Sequence, residues 1–219
     1  MRDRTQLRAM QIGLFSCLIA AAMGLASSAA AEDQRQKAEI QIRKVSALAF
    51  DKGARPFVSE TVAEFLKIPR MDLVRERQSA NLSYGSLFLV HRLTDSPSSL
   101  EQMVSEVHAG KSLWDIGSEK HADWQQIARD AKKLNEKIEA ALYDYFLNGP
   151  PDPKRHPPDG YDVVKDRVAA DGQDLTKQEL EAAQDTYVRC YQRVHGWGQP
   201  KDLPNQNNRD MPNTEGDPR

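Results

Sequence analysis

The sequence predicts an all-α fold: an irregular bundle of short helices, a Pro-rich linker, a long carboxy-terminal helix and a disordered tail. Three observations carry that expectation. Apolar residues recur at steps of three and four along most of the chain, the spacing of one helix face. Runs that alternate apolar and polar residues, as half-buried strands do, are nearly absent. Two stretches, Asn148 to Gly160 and Gly196 to Arg219, hold five and four of the twelve prolines, which interrupt any regular element.

The first segment reads as an address. Arg2, Arg4 and Arg8 precede an uncharged apolar stretch from Ile12 to Ala26, and Ala29-Ala30-Ala31 places small residues just before Glu32. A basic start, an apolar middle and a small-residue exit describe a cleavable export signal over residues 1–31, with Ala29, Ala31 and Glu32 marking the cleavage site. The apolar run is fifteen residues long, short of the roughly 20 needed to span a bilayer as a helix. Retention as an amino-terminal anchor is the alternative. Leu14-Phe15-Ser16-Cys17 looks superficially like a lipoprotein box, but the apolar run continues past Cys17. The expected location is therefore the periplasm or the extracellular space, and no later apolar run is long enough to add a membrane span.

After the leader, Ala38, Ile42, Val45 and Ala49 define one face of a helix over Gln34–Phe50, ended by Lys52-Gly53. Ser59 reads as the cap of a short helix that Pro69 closes. Met71–Gln78 and Ser83–Leu93 read as two further helices. Ser98-Ser99-Leu100-Glu101 reads as a capping box that opens a helix to about His108, with Gly110 as its stop. Ser112-Leu113-Trp114-Asp115 starts another. From Ala122 to Phe146, Trp124, Ile127, Ala131, Leu134, Ile138, Ala141 and Tyr145 step by alternating threes and fours, a heptad seam. Residues 148–160 form the linker. Thr176-Lys177-Gln178-Glu179 makes a second capping box within an expected carboxy-terminal helical segment, 161–195. There Leu180, Ala183, Tyr187, Cys190 and Val194 repeat the seam spacing. Two matching seams joined by such a connection predict that these helices pack as antiparallel neighbours. Residues 196–219 form the expected tail.

Charge and cysteine content narrow the partners. Residues 1–31 hold three Arg and one Asp, so the remainder carries 27 basic and 31 acidic residues. An acidic balance argues against a nucleic-acid partner, whose affinity comes from clustered Lys and Arg. Loss of Cys17 with the leader leaves Cys190 alone, which excludes an internal disulfide and leaves two roles: a small buried hydrophobe, or a disulfide between two chains.

A weak internal repeat runs through the first half. Leu73-Val74-x-Glu76 followed by Ala80-Asn81-Leu82-Ser83-Tyr84-Gly85-Ser86-Leu87 parallels Met103-Val104-x-Glu106 followed by Ala109-Gly110-Lys111-Ser112-Leu113-Trp114-Asp115-Ile116. Each copy predicts a helix, a polar corner and a second helix led by an aromatic residue. At this repeat, residues 62–147 resemble uncharacterised exported bacterial helical proteins in which a helix is followed by a Gly-x-Gly-Trp-Gly-x-Ile-Ala-like corner. Gly110 to Gly117 fits that corner without the glycine that follows the tryptophan. The resemblance implies an all-helical exported protein and no particular activity.

No constellation of catalytic, metal-ligating or cofactor-binding residues emerges. His91, His108, His121, His156 and His195 lack the spacing that puts two ligands on one helix face. Asp171-Gly172-Gln173-Asp174 fails as a calcium loop, because Gly172 at the sixth position places Arg167 at the first and Ala169 at the third. It reads as a turn. Asp159, Asp162 and Asp166 read as a solvated acidic face, as do Glu179 and Glu181. There is no Gly-x-Ser-x-Gly and no phosphate-cradling glycine loop. Lys111–Ala131 mimics a helix-turn-helix, but His121-Ala122-Asp123-Trp124 brings an acid and an indole where a groove-reading helix needs basic residues. The expected function is a non-enzymatic envelope-associated or protein-binding module, with an envelope protein or self-association through the heptad seams as partner. The alternative is an enzyme or small-ligand carrier whose site assembles from dispersed residues, His91, His108 or His121 among them.

Overall fold

The computed structural model describes residues 32–94, 96–150 and 159–196. The leader with Ala29 and Ala31, the middle of the Pro-rich linker with His156, and the tail from Trp197 onward lie outside the described residues. Among the described residues every regular element is an α-helix: α1 (32–50), α2 (Arg55–Leu66), α3 (Arg70–Ala80), α4 (Tyr84–Leu93), α5 (Pro97–His108), α6 (Leu113–Glu119), α7 (Trp124–Asn148) and α8 (Lys177–His195). None of these helices is long and apolar enough to cross a membrane.

The core is built on α1 and α7, which lie side by side in the same direction, Gln41 against Asn135 and Lys44 against Glu139. All four apolar positions expected on α1 are buried, and so are Trp124, Ile127, Ala131, Leu134 and Ile138 of the α7 seam. The seam then drifts. Leu142 is fully buried while Ala141 and Tyr145 are half-buried, because a 3.6-residue helix turns away from a strict heptad by about 20° per repeat. Helix α8 lays Ala183, Tyr187 and Cys190 against α7. Phe146 meets Tyr187 at 5.2 Å and Tyr191 at 5.4 Å between centroids, both edge-to-face, the favoured arrangement of aromatic rings. Much of both heptad seams is thus buried inside one chain, with Ala141, Tyr145, Leu180 and Val194 half-buried.

Four of the corners between helices share one backbone device. Lys67, Asn81, Gly110 and His121 all have positive φ. In each case the next amide bonds back five residues: Ile68 to Ala63, Leu82 to Arg77, Lys111 to Glu106 and Ala122 to Gly117. This pattern satisfies the carbonyls that a helix end leaves without partners. One residue later the next helix begins, with Pro69, Ser83, Ser112 or Asp123 at the cap. The repeat visible in the sequence is the α3–α4 and α5–α6 pair of these corners.

Three expectations need correction. Ser59 does not cap a helix: α2 already starts at Arg55 with Pro56 in its first turn, and the buried Ser59 hydroxyl donates to the Pro56 carbonyl at 2.8 Å. Proline suits that first turn, which has no amide bond to lose. The first capping box is Ser96 with Ser99, two residues before the expected start. In the segment 161–195 only Lys177–His195 is helical, and the residues before it are turns packed on the bundle. The box at Thr176 and Glu179 forms as the sequence predicts.

Candidate functional site

Two polar regions stand out, and the first builds the second. At its centre is Asp166, fully buried although its neighbours in sequence are exposed. This corrects its placement on a solvated acidic face. Tyr84 and Tyr161 donate to Asp166 Oδ2 at 2.6 and 3.0 Å. Arg77 of α3 donates from Nε to Asp166 Oδ1 at 3.2 Å and grips both oxygens of Asp171 at 3.2 and 2.9 Å. Arg55, at the start of α2, donates to the carbonyls of Ala49, Phe50 and Asp166. Burial, reinforced by the Asp166 charge, raises the Tyr84 hydroxyl far above its ordinary value and pushes Tyr161 up to about 12. Both therefore remain donors. Burial also pushes the Asp171 carboxyl up, while Arg77 pulls it down. Charges this deep persist only when paired and hydrogen-bonded. The cluster is a clamp that fixes residues 159–171 to α2, α3 and α4.

Beyond the clamp the chain continues into Ala170, Gln173 and Asp174, one wall of a cleft of about 580 Å³. The Ala170 amide donates to Asn81 Oδ1 at 3.3 Å, and Arg43 of α1 holds the Asp174 carbonyl. Asn81, Leu82, Ser83 and Ser86 face the cleft from the α3–α4 corner, and His108, Lys111, Ser112 and Trp114 face it from the α5–α6 corner. Both copies of the sequence repeat therefore open on the same cavity. Helix α4 can stand this close to α1 because residue 85 is glycine: a Cβ there would lie 2.2 Å from the Ile42 carbonyl. Beside that contact runs a hydroxyl chain, with Ser46 and Ser86 each 2.9 Å from Ser83.

The ionisable groups of the cleft are structurally engaged to different degrees. Arg43 binds Glu179 through two bonds of 2.6 and 2.9 Å, and the Arg43 hydrogen bond holds the Glu179 carboxyl down at about 2. Lys111 pairs at the surface with Glu119 and Glu106. His108 Nε2 lies 2.8 Å from the Ala80 carbonyl; a carbonyl only accepts, so Nε2 carries the proton there.

The remaining residues considered from the sequence lie apart. His91 contacts Glu76 at 2.8 Å, His121 sits at a corner, and the His195 ring lies 4.5 Å from Tyr191. Among the described residues no group of three His, Cys, Asp or Glu side chains is disposed to hold a metal ion. Glu32 is an exposed residue at the first described turn, bridged to Arg35 at 2.8 Å. Cys190 is 3% exposed, its Sγ is 3.8 Å from the Glu139 carbonyl, and burial pushes the thiol up. A disulfide to a second chain would require α8 to lift from α7.

The sequence carried a signal for the clamp. Arg77 occupies the apolar face of α3, in step with Leu73 and Ala80, and Arg55 stands in step with Val58 and Val62. An arginine on the core face of a helix marks a buried partner. Compared with known proteins, the chain matches no family model, no curated protein and no solved structure.

Proposed function

We propose that the protein is a non-enzymatic exported binding module that takes its ligand in the cleft between the two repeat corners. One observation carries this reading: two corners with the same backbone geometry line a single cavity whose cations Arg43 and Lys111 are already paired with carboxylates. Recognition needs only a shaped surface with a few fixed polar groups, and the cleft volume lies in the range of small-ligand sites. Export rests on the amino-terminal leader, and the bacterial envelope on the resemblance of residues 62–147.

A second reading, docking of an envelope protein, is favoured by a different observation. Ile40 is 57% exposed in a shallow groove between α1 and α7, rimmed by Lys37, Arg129 and Lys132. The two readings separate on crosslinking of the tagged mature chain in its own envelope fraction. Gln173→Trp plugs the cleft from its exposed wall, and Ile40→Asp spoils the groove. Loss of the crosslinked or co-purified species with Gln173→Trp alone supports the cleft. Loss with Ile40→Asp alone replaces it with the groove.

A further inference from the structure

Resting on the cleft reading, we infer that the ligand is an uncharged sugar, recognised through its hydroxyls. Neither Arg43 nor Lys111 presents an unpaired charge to it: Arg43 binds Glu179, and Lys111 pairs with Glu106 and Glu119. Other lining side chains are each fixed by an internal hydrogen bond and keep one group over. Asn81 Oδ1 accepts from the Ala170 amide at 3.3 Å, which leaves the side-chain NH₂ to donate. Ser86 accepts from Ser83 at 2.9 Å, and Ser112 accepts from the Trp114 amide at 3.2 Å, so each keeps its own hydrogen to give. His108 donates from Nε2 to the Ala80 carbonyl, so its Nδ1 is an acceptor. Beside them the exposed Asp174 carboxylate accepts as well.

That mixture of donors and acceptors in one cavity is selective. A carboxylate only accepts, so it would meet His108 Nδ1 and Asp174 with no hydrogen to give. An ammonium only donates, so it would meet Asn81, Ser86 and Ser112 with nothing to accept. A hydroxyl does both and matches every one of them. A ligand that satisfies the set carries several hydroxyls and no charge, which is the chemistry of a sugar ring. Leu113 and Trp114, both half-buried, supply an apolar part of the lining for the C–H faces of that ring. Polar groups already held in place lose little freedom on binding, which favours affinity. A cleft of about 580 Å³ holds a small saccharide.

The test is calorimetric titration of the mature chain with glucose, galactose, N-acetylglucosamine, maltose and diacetylchitobiose. Glucuronate and glucosamine serve as charged counterparts. At least one neutral sugar binds saturably, and both charged sugars bind at least tenfold more weakly. Gln173 and Asp174 are exposed, and the hydrogen bonds they make among the described residues come from their backbone. Gln173→Ala and Asp174→Ala therefore keep the parent unfolding midpoint and weaken the sugar by about fivefold to tenfold, the worth of one hydrogen bond. Gln173→Trp abolishes binding. Maltotetraose and chitotetraose read the source: tighter binding than the disaccharide assigns a longer glycan, equal binding a free sugar, and either supports the inference. No binding of any neutral sugar, equal or tighter binding of a charged one, unchanged affinity in both alanine variants, or binding that survives Gln173→Trp overturns it. The cleft reading has a separate readout and falls only if Gln173→Trp leaves the crosslinked or co-purified envelope species intact.

Discussion

The clamp and the cleft use the same residue types to opposite ends. Around Asp166 and Arg77, side chains that are fully buried meet tyrosine hydroxyls, carbonyls and a second carboxylate, and every contact is internal. Around Lys111 and His108, comparable groups sit at the protein surface with partners that solvent or a ligand can replace. Depth is the difference. A charge removed from water must keep all its partners or the fold loses several kcal/mol, whereas a charge at the rim exchanges partners with little change. The chain thus separates holding from recognising, and the clamp supplies the wall against which the cleft is formed.

Breaking the clamp has the largest effect. Arg77→Met keeps the volume but leaves Asp166 and Asp171 without their cation, and urea unfolding should show a loss of about 3–5 kcal/mol. Gly85→Ala comes next. Its methyl group would meet the Ile42 carbonyl at 2.2 Å, so α4 must move off α1, at a cost of about 1–3 kcal/mol and with a changed cleft. The Arg43–Glu179 clasp contributes less, and its contribution depends on pH. The Glu179 carboxyl titrates at about 2 when folded against an ordinary 4.5, so its stabilisation is complete above about pH 4.5 and fades as pH falls towards 2. Glu179→Gln should therefore unfold more readily than the parent at pH 7, with the gap closing in acid. Lys111→Ala has the smallest effect on stability. Its unfolding midpoint should match the parent.

Legibility follows the physical origin of each feature. The α1 face, the α7 and α8 seams and the box at Thr176 and Glu179 are local, and short-range spacing encodes them. The start of α2 misleads because Ser59 has the chemistry of a cap while Pro56 has the geometry of a first turn, and geometry decides. The arginines of the clamp are legible on their helix faces, but the partner of Arg77 escapes a local reading because Asp166 is 89 residues away; an aspartate destined for the core looks in sequence like one destined for water. Half of the cleft is legible, since the repeat names both corners. Their convergence on one cavity, and the use of residues 170–174 as its wall, depend on tertiary contacts that no local pattern contains.

The most direct measurement is site-specific photocrosslinking in intact cells from two positions on the mature chain. One probe replaces Gln173 in the cleft wall, and the other replaces Ala140 on the exposed face of α7. A cleft that takes a ligand in the envelope yields a discrete adduct from position 173 and none from position 140. Equal adducts from both positions, or an adduct from 140 alone, would contradict the assignment of recognition to the cleft.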